Sequence, residues 1–334
     1  MGYLSFVQYW YHKCNTSEDN RKGKEERNMN IETVAIMGAG AVGSYFSTGL
    51  IPKLGDHLLV IAEGERKERL TKEGIIVNHE NWKLNVKTPE EARGADLLLI
   101  ATKYGALKES LPAVEKIVDD HTVVMSLLNG VDSEEIIGER IGKQHMVYSM
   151  MKIASERDGN SIVYDPSVTQ GVFFGEADRK RSERVEAIAA LFEGTDIRYT
   201  ICSDIIRDIW FKYALNVSKN LPQAVLNCSF AGYSASEHVA FISQKLRDEV
   251  VAVAAAKGID ISDEDNTLGK NSAISGAARF STLQDLDAKR HTEIDMFSGA
   301  MIRMGQELEI PTPYNEYTYH AIKALEEKND GLFS

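Results

Sequence analysis

The sequence predicts an α/β doubly wound N-terminal domain followed by an all-α C-terminal domain. Three observations carry that expectation. Up to about residue 200, short apolar runs alternate with helix-patterned stretches, the signature of a parallel sheet with crossover helices. A glycine-rich turn, GAGAVG, joins the first apolar run to the first helical stretch. Beyond residue 204 long helical segments take over, and no strand signal of comparable strength follows.

Residues 33–37 form the first strand, and the helical pattern after the glycines runs through Leu50. A second strand is expected at 57–62, a helix at 65–73, and a hairpin or irregular insertion at 75–86. The run ADLLLIA at 95–101 is almost wholly apolar, as a parallel strand buried on both faces requires. A helix follows over 106–118, with Leu107, Leu111, Val114 and Ile117 on one face, then a strand at 122–128. Ser133 opens another helix whose first turn carries acids that the helix dipole favours. Strands at 146–153, 161–164 and 172–175 are expected to extend the sheet. The helices of the second domain are predicted at 204–226, 237–257, 283–309 and 313–328. A chain of 334 residues exceeds what one core usually supports, so two domains are expected, 29–200 and 201–334.

Residues 1–28 stand apart: an aromatic-rich run, YLSFVQYWY, precedes a polar, charged one, and neither has the plan of a signal peptide. They read as a disordered extension, with a partner-binding arm using Tyr9, Trp10 and Tyr11 as the alternative. A net charge of -12 argues against a nucleic-acid surface, though a local basic pocket for an anionic ligand remains compatible with it. Cys14, Cys202 and Cys228 are scattered, which excludes a disulfide scaffold and fits a reducing, cytoplasmic compartment. No apolar run approaches the roughly 18 residues that span a membrane, so no membrane association is expected. The histidines form no HxxxH or HExxH spacing, and no metal is expected.

Gly38, Gly40 and Gly43, with Ala39, Ala41 and Val42 between them, form GxGxxG directly after a strand and before a helix. The first glycine permits the tight turn, the second lets the backbone approach a pyrophosphate, and the third lets helix and sheet pack closely. The helix N-terminus then faces the phosphates. This predicts a Rossmann-type dinucleotide site. Glu63 lies 20 residues past Gly43, at the end of the second strand, where an acid would bind the adenosine ribose diol and favour NADH. Arg66 and Lys67 follow closely and offer a 2′-phosphate of NADPH an alternative partner. Lys103 and Asn129 stand at two further strand ends, the edge that lines the cofactor crevice in such folds.

In DIIRDIWFKYALNVSKNLPQAVL, Lys212, Asn216 and Asn220 recur every four positions, so they stack along one slowly drifting helix face. An exposed polar face and a ligand-binding face both fit this pattern. A second polar stretch, FSTLQDLDAKRHTEID, holds Ser281 and Glu293, expected on a loop and the following helix; on residues alone Glu293 also reads as a surface acid.

Taken in order, GAGAVG, ATKYGAL, LLNGVDS, WFKYALNVSKN and STLQDLDAKRHTEIDMFSG resemble the ketopantoate reductase (2-dehydropantoate 2-reductase) family across nearly the whole chain from Ile31. The resemblance implies reduction of a 2-keto acid to its 2-hydroxy acid with NADPH, in pantothenate biosynthesis. By position it implies Lys212 as general acid, Asn216, Asn220 and Ser281 as substrate contacts, and Lys103, Asn129 and Glu293 as cofactor-side contacts. Glu293 is also implied to position Lys212. Three features depart from the family pattern. Glu63 replaces a common arginine, which brings NADH into play. Pro222 follows Asn220 by two residues instead of directly, so the helix is expected to end differently. Phe230 stands where a polar substrate-side residue is usual, which makes another branched 2-keto acid an alternative substrate. A nucleotide-binding redox sensor without turnover is the reading from a different class. The expected partner is the small-molecule substrate, and the helical domain has room for a homodimer interface.

Overall fold

A computed structural model describes residues 29–158, 161–262 and 275–334. The expectation for residues 1–28 lies outside them. The chain divides into two compact units, one ending at Ile205 and the other running from Ile206 to Ser334.

The first unit holds β1 (Val34–Met37), α1 (Ala41–Leu54), β2 (Leu58–Ile61), α2 (Gly64–Glu73), β3 (Ile75–Val77), β4 (Glu80–Trp82) and β5 (Val86–Lys87). It continues with β6 (Leu97–Ile100), α3 (Leu107–Ile117), β7 (Val123–Ser126), α4 (Ser133–Ile141) and β8 (Met146–Lys152). It closes with β9 (Ser155–Asp158), β10 (Ser161–Tyr164), β11 (Gly171–Gly175), α5 (Glu183–Phe192) and β12 (Tyr199–Ile201). Eight strands form the main sheet in the order β12-β11-β8-β7-β6-β1-β2-β5, with β8 and β11 its antiparallel pair. Alternation along β1 shows why its strands read as continuous apolar runs. Val34 and Ile36 join Phe46, Leu50, Phe174 and Phe192 on one side, while Ala35 and Met37 join Leu98, Ile100, Val114 and Ile137 on the other.

Residues 75–86, expected as a hairpin or irregular insertion, supply β3, β4 and β5. Asn78 and His79 both have positive φ, 49° and 66°, which suits the tight turn between β3 and β4. Residues 161–164 were expected in the main sheet; instead β10 pairs with β3 and β9 in a second, four-stranded sheet. The reason is packing: Tyr164 is buried in a separate cluster with Val60, Leu70, Ile75, Val77 and Leu84.

The second unit contains α6 (Ile205–Leu226), which begins at the last residue of the first unit, then α7 (Gly232–Ala235) and α8 (Glu237–Ala256). After these come α9 (Ser281–Asp287), α10 (Ser298–Glu307) and α11 (Pro313–Asn329). The expected single helix over 283–309 is therefore two. Lys289 adopts φ 53°, and the Arg290 N–H donates back to Asp285 O at 2.8 Å, closing α9 where no glycine or proline marks a break. Buried Glu249 on α8 accepts the Tyr314 and Asn315 backbone N–H groups at 2.8 and 2.9 Å, and so caps the start of α11. Helix α6 runs through Pro222 to Leu226 and is followed by Asn227, whose φ is 48°. Pro222 cannot donate to the Ser218 carbonyl, yet the helix continues because its flanks, Leu221, Gln223 and Ala224, are buried.

Candidate dinucleotide and substrate sites

Each glycine of the loop has its own reason. Gly38 sits at φ 110°, and a Cβ there would lie 2.5 Å from the Ala101 carbonyl oxygen at the end of β6. A Cβ on Gly43 would lie 1.8 Å from the Gly38 carbonyl oxygen, so the first turn of α1 closes only over a hydrogen atom. At Gly40 no atom lies within 4 Å of where a Cβ would be. The start of α1 has neither a side-chain cap nor an acid in its first turn. Open space in front of uncapped amides is what an anionic pyrophosphate needs, and these residues fit a dinucleotide. Ala39, Ala41 and Val42 are partly exposed or half-buried around this opening.

Parallel pairing of β7, β6, β1 and β2 sets their carboxyl ends side by side. Asn129, Lys103, the glycine loop and Glu63 follow those four ends in that order, so the structure brings these positions to one edge of one sheet. Tyr104 O–H donates to Asp132 Oδ2 at 2.6 Å and ties the loop carrying Lys103 to the loop carrying Asn129. Lys103 is exposed and Asn129 half-buried. Glu63 is exposed at the N-cap of α2, with Arg66 exposed one turn on. Lys67 is engaged by Glu91 at 2.5 Å, a contact that holds the Glu91 carboxyl down to about 2. Arg66 forms no ion pair among the described residues, so it is the more available of the two cations.

Beneath the Asn129 loop lies a buried hydroxyl–carboxyl chain that the sequence did not signal. Ser126 Oγ lies 2.8 Å from Ser133 Oγ, Ser133 O–H donates to Glu134 Oε2 at 2.8 Å, and Ser149 O–H donates to Ser126 O at 2.5 Å. Burial pushes the Glu134 carboxyl up to about 7. One of the acids of this helix's first turn is therefore inside.

In the helical unit, Lys212 and Asn216 are half-buried and Asn220 is buried on α6. Ser281 is exposed as the first residue of α9, not on a loop, and Glu293 is half-buried in a bend before α10, not on a helix. Both segments are fastened to α6. The Gln223 amide donates to Ala278 O at 3.2 Å and accepts the Phe280 N–H at 2.9 Å, holding the strand of chain just before Ser281. Tyr213 O–H, beside Lys212, donates to Phe297 O at 2.6 Å, and Phe297 N–H bonds the Glu293 carbonyl at 3.2 Å. Gln223 is fully buried and was missed from sequence, although it lies one turn beyond Lys219 and close in bearing to Asn216. Phe230 is buried and packs edge-on against Phe280 and tilted against Tyr233, each at 5.7 Å between centroids. Among the described residues no group of three His, Cys, Asp or Glu is placed to hold a metal, and no helix is long and apolar enough to cross a membrane.

A doubly wound sheet that presents an uncapped, glycine-fronted helix start is the arrangement of dinucleotide-binding proteins. The comparisons with known proteins narrow that class. The chain belongs to the ketopantoate reductase family: the model described as Ketopantoate reductase PanE/ApbA matches residues 34–179 and its C-terminal counterpart matches 204–326. The 2-dehydropantoate 2-reductase of Archaeoglobus fulgidus is 27% identical over 300 residues, covering 89% of this chain and 99% of its own. That of Streptococcus pyogenes serotype M3 is 26% identical, covering 88% and 97%. Among solved structures, a ketopantoate reductase of Ralstonia eutropha JMP134 superposes with TM-score 0.74 at 23% identity, covering 89% of this chain and 99% of that one. D-mandelate dehydrogenase bound to NADH shares the fold with TM-score 0.76 at 22% identity, covering 90% and 100%.

Proposed function

We propose that the protein reduces a branched 2-keto acid, 2-dehydropantoate first among them, to the 2-hydroxy acid in pantothenate biosynthesis, with Lys212 as general acid. The observation that carries this reading is the polar face of α6. Lys212, Asn216 and Asn220 step along it, and the two amides have no hydrogen-bond partner among the described residues.

A bound nicotinamide dinucleotide supplies the hydride to the carbonyl carbon. Negative charge then grows on the carbonyl oxygen, where the Lys212 ammonium stabilises it and delivers a proton. Asn216 and Asn220 each offer a donor and an acceptor to the polar groups of the substrate, and Ser281 adds a hydroxyl. Glu293 positions Lys212. Lys103 and Asn129, on neighbouring strand ends, hold the cofactor side together with the glycine loop. NADPH is the family's cofactor; Glu63 suits the ribose diol of NADH, and Arg66 is the residue to receive a 2′-phosphate. D-mandelate dehydrogenase, which shares the fold, is solved in complex with NADH.

A second reading, a different branched 2-keto acid, is favoured by one observation: the position of Phe230 in an aromatic cluster with Tyr233 and Phe280. The test is the initial rate of 2-dehydropantoate reduction with NADPH and NADH in parallel. Turnover is expected, faster with NADPH if Arg66 selects and with NADH if Glu63 does. Absence of turnover with either cofactor overturns the substrate assignment.

A further inference from the structure

Lys219 is the buried cation of α6 that the proposed chemistry leaves unused. Its side chain is only 7% exposed, on the same helix as Lys212. Seven residues bring a helix back to within roughly 20° of the starting bearing and advance it about 10 Å, so Lys219 lies two turns along the face that begins at Lys212. Asn216 is on that face between them, and buried Asn220 is its neighbour.

What surrounds the Lys219 ammonium is almost entirely neutral. Nζ donates to Ser243 Oγ of α8 at 3.1 Å and stands 4.7 Å over the Tyr233 ring. No carboxylate pairs with it among the described residues. An ammonium has three N–H donors, and a hydroxyl and a ring face leave at least one without an acceptor. Arg247, one turn beyond Ser243 on α8 and also buried, adds a second positive charge to the neighbourhood. Burial first, and Arg247 second, bring the Lys219 pKa down to about 8, so the group is still largely charged at neutral pH. A buried cation with a spare donor and no counter-ion is costly to keep unless an acceptor arrives.

The position along α6 says which part of a substrate could supply that acceptor. With the ketone oxygen at Lys212, the acid's own carboxylate is bonded to the carbonyl carbon and stays beside it. Two turns further on, only the far end of the molecule reaches. Just past that end of α6 stands Phe230, which packs on Tyr233 and has no hydrogen-bonding side chain. We propose that Lys219, backed by Ser243, is a specificity-determining residue that donates to an oxygen at the far end of the 2-keto acid. That oxygen is a terminal hydroxyl or a second carboxylate. The inference rests on the 2-keto acid reading above and deepens it.

The experiment compares acids that differ by that oxygen. One pair is 2-dehydropantoate against 3,3-dimethyl-2-oxobutanoate, and the other is 2-oxoglutarate against 2-oxopentanoate, each with the full-length wild type and Lys219→Met. The wild type is expected to favour the oxygen-bearing member of at least one pair by about 10- to 100-fold in kcat/KM, and Lys219→Met to lose most of that ratio through KM, with kcat retained. The pair with the larger loss identifies hydroxyl or carboxylate. Lys219→Arg, which keeps a donor and its charge, should restore part of the preference. Ratios unchanged by Lys219→Met in an active enzyme overturn the inference and leave the 2-keto acid reading intact. No reduction of any of the four acids by the wild type overturns both.

If Lys219→Met does not fold, the wild type alone decides. Its preference for 2-oxoglutarate over 2-oxopentanoate should fall as pH rises past 8, because Lys219 loses its charge there, while any effect of pH on the step common to both acids cancels in the ratio. A ratio flat from pH 7 to 9.5, together with an unchanged ratio for the hydroxyl pair in Ser243→Ala, overturns the inference.

Discussion

The glycine loop and the polar face of α6 are assembled by different means. At the loop, function is a property of backbone: Gly43 has room for no more than a hydrogen atom, and Gly40 faces open space. Along α6 the backbone is ordinary helix, even through Pro222, and everything distinctive is carried by side chains at four-residue spacing. A substitution in the loop should therefore act on the fold where the glycine is packed, as at Gly43, and on cofactor affinity where it faces open space, as at Gly40. One at Lys212 or Asn216, half-buried on α6, should act on turnover or substrate affinity while leaving the fold alone.

The largest separation is expected on the helix side. Lys212→Ala should lower kcat by about 10²- to 10⁴-fold, the usual effect of losing a general acid, with cofactor affinity held. Near-normal turnover in stopped-flow or steady-state assays would remove Lys212 from the chemistry. Next comes the loop. Gly43→Ala puts a methyl onto the Gly38 carbonyl and should cost about 3 kcal/mol in urea unfolding, whereas Gly40→Ala should leave stability unchanged and weaken NAD(P)H binding about tenfold. Equal stability losses in the two variants would erase the distinction between a packing glycine and a ligand-facing one.

The smallest effect sharpens the comparison, because it concerns a side chain inside the backbone-built unit. Burial raises the Glu134 pKa in the folded state to about 7 from its ordinary 4.5, so the folded state holds its proton more tightly. Stability from this group is present at pH 4.5 and is lost as pH rises to about 7. Glu134→Gln should accordingly match the wild type near pH 5 and exceed it by about 1–2 kcal/mol at pH 8, read from urea midpoints. A gain that does not change with pH would mean that the carboxyl is ionised throughout.

Much of this architecture is legible in the sequence because parallel strands buried on both faces are nearly pure apolar runs, and glycines mark the turns between them. Residues 95–101 illustrate it: LLLI is the whole of β6. The misassignments arise where the deciding contact is distant. Residues 161–164 look like any sheet strand, and only Ile76 across the pairing and the cluster around Tyr164 send them to the second sheet. Lys289 breaks the predicted helix over 283–309 with a residue that carries no helix-stopping signal. On α6, spacing exposes Lys212, Asn216 and Asn220 but is silent about Lys219 and Gln223, because their importance comes from Ser243 on another helix and from the chain at 278–280. Glu134 reads as a dipole-favoured acid, and its burial shows only once Ser133, itself bonded to Ser126 on β7, is seen to donate to its carboxyl.

Tyr164 has a bearing on modularity. Its hydroxyl donates to the Ala41 carbonyl, and its ring meets Tyr45 edge-on at 5.6 Å between centroids, so a strand more than a hundred residues downstream braces the first turn of the cofactor helix. The GxGxxG segment is consequently not a portable cassette. A chimaera that transplants only the β1–α1–β2 stretch into a sister protein would leave its brace behind, and grafts that carry β3 and β10 along with it are the ones that should keep the loop's shape.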